Sequence, residues 1–344
     1  MRTLYITILT VFFINTLIAQ KKSINESRFI TIGGIKQWVT IKGNDKEKPA
    51  ILFLHGGPGS VMTPYSDSIY DKWKKDFILV NWDQRGAGRT FGENAPKEVN
   101  EDYFIENKLT LKKMVEDGIE LSEYLTEYLN KKSIILMGAS WGSILGIKMI
   151  QTNSSLFKGY VGNAQFVGFN KNYIYAYNKV LKLAIDSNDS IAFKKLKSLG
   201  KPPYKNTRNL GQMLRIVKKY ERMNAIPAPN NWWRMNQEYN NKKDKKDRYN
   251  GDDYSFLYFA GHEKMGIRSM VKNLDFYNNS LKFNIPIYFI QGEEDILTSS
   301  KLNKIYFEKI KAPDKGYYLI KEAGHNPNEL ILQKQYEILR DKFL

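Results

Sequence analysis

The chain has 344 residues, 42% hydrophobic and 26% charged, a balance that builds a buried core and excludes a disordered or low-complexity protein. It carries 53 Lys and Arg against 36 Asp and Glu, a formal charge of +17. It has no cysteine, which excludes disulfides, thiolate catalysis and cysteine-held metals.

The first residues, "MRTLYITILTVFFINTLIAQKKS", place Arg2 ahead of an apolar run from Leu4 to Ala19 and follow it with Gln20, Lys21 and Lys22. The run has no polar face at helical spacing and is shorter than the ~20 residues of a spanning helix. It predicts a signal peptide over residues 1–19, removed after Ala19, and a periplasmic or secreted protein; a retained membrane anchor is the alternative.

Beyond it, "RFITIGG" and "KQWVTIKG" alternate as an antiparallel pair, and "AILFLHG", "FILVNWD", "SIILMG" and "FKGYVGN" read as buried strands. Between the second and third of these buried strands, Leu111, Met114, Val115, Ile119, Leu121 and Leu125 recur at the spacing of an amphipathic helix. "IPIYFIQG" and "GYYLIKEAGH" add two strands, and "NELILQKQYEILRDKFL" closes the chain as a helix. Strands alternating with helices predict a mainly parallel sheet.

The stretch between, residues 163–282, departs from this rhythm. Amphipathic segments such as "YAYNKVLKLAI", "DSIAFKKLKSL" and "LGQMLRIVKKYERM" are separated by "GKPPYKN" and "IPAPNN", whose prolines end helices. The expected organisation is an α/β core over residues 28–162 and 283–344, with a mostly helical cap inserted at 163–282. From Asn163 to Lys282 there are 23 Lys and Arg against 10 Asp and Glu, an excess of 13. That excess offers a surface for a weakly bound anionic partner, although "NNKKDKKDRYN" also reads as an ordinary solvated face or loop. No nucleic-acid-binding pattern accompanies it, so no nucleic-acid partner is expected.

Five local patterns carry chemistry. "HGGPGS" follows a strand, and its glycines let backbone N–H groups approach a ligand; the N–H of Gly57 is the candidate oxyanion donor. "DQRGAGRT" lies after the next strand, and Arg85 and Arg89 there are read as ion-pairing residues that tie the loop down. "GASWG" has the spacing of a nucleophile elbow, with Ser140 between Gly138 and Gly142 and the N–H of Trp141 as the second oxyanion donor.

A serine hydroxyl needs a base, and the base an acid to orient it. Of the three histidines, His325 in "KEAGHNP" sits between a strand and the last helix; His55 and His262 are the others. Asp295 in "GEEDILT" is the candidate acid, with Glu294 as its rival. The order Ser140, Asp295, His325 is that of the α/β-hydrolase arrangement.

"HGGPG", "DQRGAGRT" and "GASWGS", with a late aspartate and histidine, resemble the prolyl iminopeptidase family of α/β hydrolases over the two core segments. Ala139 and Thr90 replace that family's usual glycine and serine. The resemblance implies an α/β-hydrolase fold, a Ser140–His325–Asp295 triad, an acyl-enzyme, no metal or organic cofactor, and short peptides with a free N-terminus as substrates. It also implies acidic cap residues that hold the substrate ammonium; Glu221, Glu238 and Glu263 are the acids considered for that role, and the sequence does not choose among them. A carboxylic-ester or lactone hydrolase uses the same triad, and Trp232, Trp233, Tyr254, Phe256, Tyr258 and Phe259 could line an apolar pocket for it or simply pack helices. A non-catalytic binding protein on the same fold is the third class.

Overall fold

The computed structural model describes residues 23–344, so the signal segment expected at residues 1–19 lies outside the described part. Strands β1 (Ile24–Ile32), β2 (Ile35–Gly43), β3 (Ala50–Leu54), β4 (Ile78–Asp83), β5 (Ile134–Ala139), β6 (Phe157–Asn163), β7 (Ile287–Gly292) and β8 (Lys315–Ile320) form one sheet. Their order across it is β1-β2-β4-β3-β5-β6-β7-β8. β2 runs antiparallel to β1 and β4, and all other neighbours are parallel.

The helices are α1 (Ser66–Tyr70), α2 (Gly88–Asn94), α3 (Glu101–Glu106), α4 (Leu111–Tyr128), α5 (Trp141–Thr152), α6 (Phe169–Asp186), α7 (Ser190–Leu199), α8 (Thr207–Asn224), α9 (Lys242–Ala260), α10 (Phe276–Asn279), α11 (Ser300–Lys309) and α12 (Glu329–Phe343). β3 shows why the sheet is buried on both faces. All five of its residues are buried, and they alternate between two cores. Leu52 and Leu54 belong to the same buried cluster as residues of α4, α5 and α11 on one face, whereas Ile51 and Phe53 belong with residues of α1 and α12 to the cluster on the other.

Between β6 and β7 the chain leaves the sheet for helices α6 to α10. Local chemistry starts several of them: Asp189, Asn206 and Asn241 each accept a backbone N–H at a helix N-terminus. The Lys/Asp-rich segment that could have been a loop is thus the first half of α9, with Lys243 and Asp247 paired one turn apart. Most of the aromatic residues of this layer pack rather than line a pocket. Tyr254 lies against Phe91 and Phe104, Phe259 against Trp141 and Phe166, and Trp232 is buried.

The loop after β4 joins the two layers. Arg85 makes a two-pronged pair with buried Asp117 of α4, Nε to Oδ2 at 2.6 Å and Nη2 to Oδ1 at 2.9 Å. Arg89 pairs instead with Asp244 of α9, at 2.7 and 2.9 Å, and with Glu238, while its guanidinium lies between the rings of Trp38 and Tyr239. Asp83 receives the Arg89 N–H and the Thr63 hydroxyl, and burial pushes its carboxyl up to about 7.

Removing one partner of a buried pair leaves the other charge without compensation. Asp117→Ala is therefore expected to lower unfolding stability by about 3–5 kcal/mol in urea titrations. A loss below about 1 kcal/mol would mean that the pair does not anchor the loop.

Candidate functional site

Ser140 links the end of β5 to the start of α5 with φ 52° and ψ −115°, a left-handed conformation that a non-glycine residue adopts only when its surroundings impose it. Those surroundings are backbone. A Cβ on Gly142 would lie 2.0 Å from the Leu54 carbonyl oxygen, and one on Gly138 would lie 2.5 Å from the Gly142 oxygen. Only glycine lets helix and strand come this close, so the turn is forced to be sharp and the serine to sit on its apex.

Three distant segments meet at that apex. His325, in the loop between β8 and α12, places Nε2 2.9 Å from Ser140 Oγ. Its Nδ1 lies 3.1 Å from Oδ2 of Asp295, in the loop after β7. Asp295 is buried and takes three further hydrogen bonds: Thr298 N–H donates to Oδ1 at 2.7 Å, while Gln291 Nε2 and the Thr298 hydroxyl donate to Oδ2. Glu294, the rival acid, has its N–H on the Ala323 carbonyl and its side chain partly exposed, and among the described residues it makes no hydrogen bond to His325. His262 lies in a bridge with Ile267, away from this cluster.

A buried polar chain ties the acid to the elbow. Gln291 Oε1 accepts from Asn303, which also donates to the Gln165 carbonyl; Gln165 donates to the Ser143 carbonyl, and the Ser143 hydroxyl donates to the Ser140 carbonyl. Such a chain fixes Oγ and carboxylate in one rigid frame.

The electrostatics separate the groups. Burial alone would raise the Asp295 carboxyl, but the His325 imidazole and the hydrogen bonds it receives hold it below the usual carboxylate range. Burial alone would lower His325, but Asp295, and then Glu221, raise it above the ordinary value.

Glu221 is the residue whose role the sequence could not assign. It lies in the last turn of α8, is buried, and its Oε1 accepts the N–H groups of Ile296 and Leu297, next to Asp295. Burial first, and the charge of Asp295 second, push its carboxyl up to about 7. Among the described residues, its Oε2 takes no hydrogen bond. Glu238 and Glu263, by contrast, pair with Arg89 and Lys205.

The glycine loop after β3 lies directly against the elbow, since a Cβ on Gly56 would come within 3.5 Å of Ser140 Cβ. Gly57 has φ 106°, which demands glycine, and among the described residues its N–H has no acceptor. The N–H of Trp141, first in α5, has no intrahelical acceptor and points from a helix N-terminus. The shallow hollow in the helical layer, lined by Phe169, Tyr173, Pro202, Tyr204, Leu210 and Ala260, does not include Ser140. Side-chain chemistry, rather than this hollow, locates the site.

A family model described as serine aminopeptidase, S33, matches residues 45–329. The probable aminopeptidase YbaC of Bacillus subtilis strain 168 is 25% identical over 318 residues, which are 91% of this chain and 94% of that protein. A probable proline iminopeptidase of Streptomyces coelicolor is 34% identical over 116 residues, 34% of this chain and 32% of its own. Among solved structures, a proline iminopeptidase from Mycobacterium smegmatis superposes with a TM-score of 0.61 at 15% identity, over 92% of this chain and 98% of that one. A proline iminopeptidase-related protein from Thermus thermophilus gives 0.58 at 18%, with the same coverage. At these identities the structural likenesses speak to the fold, which is that of the α/β hydrolases.

The two imidazoles nearest the elbow have opposite surroundings. His55 is buried without a carboxylate and is pushed down to about 4, whereas His325 is raised above its ordinary value. In an NMR pH titration His325 is expected to take its proton above pH ~6.5 and His55 to remain neutral to well below pH ~6. Glu221→Gln removes a negative neighbour and should move the His325 midpoint to lower pH. A midpoint that stays or rises would refute the coupling.

Proposed function

The chain belongs to the serine aminopeptidase S33 family, and from that membership we propose that this α/β hydrolase of the prolyl iminopeptidase type releases the first residue of short peptides through an acyl-enzyme on Ser140. The observation that carries the reading is the line from Ser140 Oγ through His325 to Asp295, at 2.9 and 3.1 Å, with the Glu221 carboxyl buried beside it. In this reading His325 Nε2 takes the Ser140 proton as Oγ adds to the scissile carbonyl. Asp295 holds the imidazole by Nδ1 and stabilises the imidazolium. The N–H groups of Gly57 and Trp141 receive the oxyanion, and the α5 N-terminus adds its dipole. His325 then gives the proton to the departing amine. A water, deprotonated by the same nitrogen, releases the amino acid and restores the serine.

Glu221 supplies the reason for a free N-terminus. A substrate ammonium at its unoccupied Oε2 would place the first residue's carbonyl beside the elbow and lower the cost of a buried carboxylate. Only one such carboxyl is needed, which is why a layer with an excess of positive charge can still take a cationic terminus. Proline as that first residue is the preference the family resemblance carries. We also propose that the protein acts outside the cytoplasm after losing residues 1–19.

A fluorophosphonate probe should label the wild type and leave Ser140→Ala unlabelled; equal labelling of both would sink the nucleophile. Charge-assisted hydrogen bonds of this kind are worth about 1.5–3 kcal/mol. Glu221→Gln should therefore lower kcat/KM on prolyl and alanyl anilides by roughly 10- to 100-fold and change that on amine-free esters by less than about threefold. Wild-type preference for esters and lactones over every anilide would instead make the protein an esterase. The mature protein isolated from its own host should have the mass of a chain starting at Gln20. A mass that includes residues 1–19 would reject their removal.

A further inference from the structure

The oxyanion donors of the proposed mechanism come from two separate segments. The β3–β5 ladder registers residues up to Leu54 and Gly138, yet Gly57 and Trp141 each lie three residues past that last pair. Two N–H groups must aim at one oxygen within a few tenths of an ångström, and the sheet no longer fixes their spacing.

A third element spans the gap. Gln84, fully buried in the loop after β4, accepts the Trp141 indole N–H on Oε1 at 2.9 Å. Its own backbone N–H donates to Nε2 of His55 at 3.3 Å, and its Nε2 is turned toward the His55 carbonyl at 3.4 Å. The indole can only donate, so the orientation of the Gln84 amide is fixed. The Gln84 N–H likewise makes His55 Nε2 an acceptor, which puts the ring proton on Nδ1, where it donates to the Gly56 carbonyl at 2.9 Å. His55 and Trp141 are themselves buried, so no water competes for these bonds. The segment His55–Gly56–Gly57 and the first residue of α5 are therefore both held by one glutamine.

We propose that Gln84 is a positioning residue that sets the distance between the Gly57 and Trp141 N–H donors by bonding the indole of one and the histidine preceding the other. The proposal rests on the serine-hydrolase reading of Ser140. It requires an amide at this position, because only an amide both accepts from the indole and donates toward the His55 carbonyl. Glutamate would set an oxygen against that carbonyl, and methionine would fill the space without either bond.

The test compares wild type, Gln84→Met and Trp141→Phe, the last of which removes the indole N–H and keeps the backbone donor. On an amino-acid anilide, kcat should fall about 10- to 100-fold in each variant with KM within about threefold, as a misaimed donor requires. Inhibition by the matching amino aldehyde, whose carbonyl accepts Ser140 Oγ to form a tetrahedral adduct, should weaken in parallel. Inhibition by the free amino acid should stay unchanged. The double variant should be no slower than about the slower single one, since both cut the same bond.

A kcat for folded Gln84→Met within threefold of wild type would overturn the proposal, as would a kcat loss with unchanged aldehyde affinity. If Gln84→Met does not fold, Trp141→Phe decides by the same two readouts. Ser140→Ala separates the premises: if it retains activity the hydrolase reading fails, and if it is inactive while both other variants match wild type, only the role of Gln84 fails.

Discussion

The approach of Gly142 to the Leu54 carbonyl is the constraint on which the site depends. No side chain larger than hydrogen fits there, so α5 can begin directly against the end of β3 and the chain must turn within one residue. That residue is Ser140. Its left-handed backbone is the local cost of a tight helix–sheet contact, offset by a core in which Ile144, Leu145 and Ile147 are fully buried. Once the hydroxyl stands on that apex, the loops after β3, β7 and β8 need only reach the same end of the sheet. In a parallel sheet, that is where the carboxyl ends of the strands converge.

Two buried carboxyls close together in space behave oppositely, and the partners of each explain why. Asp295 takes three hydrogen bonds from Gln291 and Thr298 and faces an imidazole, which hold its carboxyl below the usual carboxylate range although it is buried. Glu221 has two backbone N–H groups and a neighbouring negative charge, so its ionisation is poised near neutrality. In the proposed reaction one carboxyl stays charged throughout, and the other answers the substrate ammonium.

Much of this arrangement was legible in the sequence because it is written locally. The β3, β4 and β5 segments are nearly unbroken apolar runs, as strands covered on both faces must be. The elbow and the glycine loop are short patterns whose backbone demands admit few residues. Other features were hidden because they exist only in the folded chain. Glu221 looks like any helix glutamate until α8 is laid against the loop after β7. Gln84, Gln291 and Thr298 are common polar residues, and nothing in their own neighbourhoods names Trp141, Asp295 and His325 as their partners. The helix α9 was obscured for another reason: its first half is polar, and its buried face is carried by Tyr254, Tyr258 and Phe259 near its end.

In the proposed function, a Glu221 carboxyl pushed up to about 7 would couple occupancy of the site to the movement of a proton. A substrate ammonium arriving there near neutral pH would favour the carboxylate, so each binding event would expel a fraction of a proton to solvent. The heat of binding measured in calorimetry then depends on the buffer that absorbs it. Grip on such a substrate would also loosen as the surroundings acidify, through a group that takes no part in bond making.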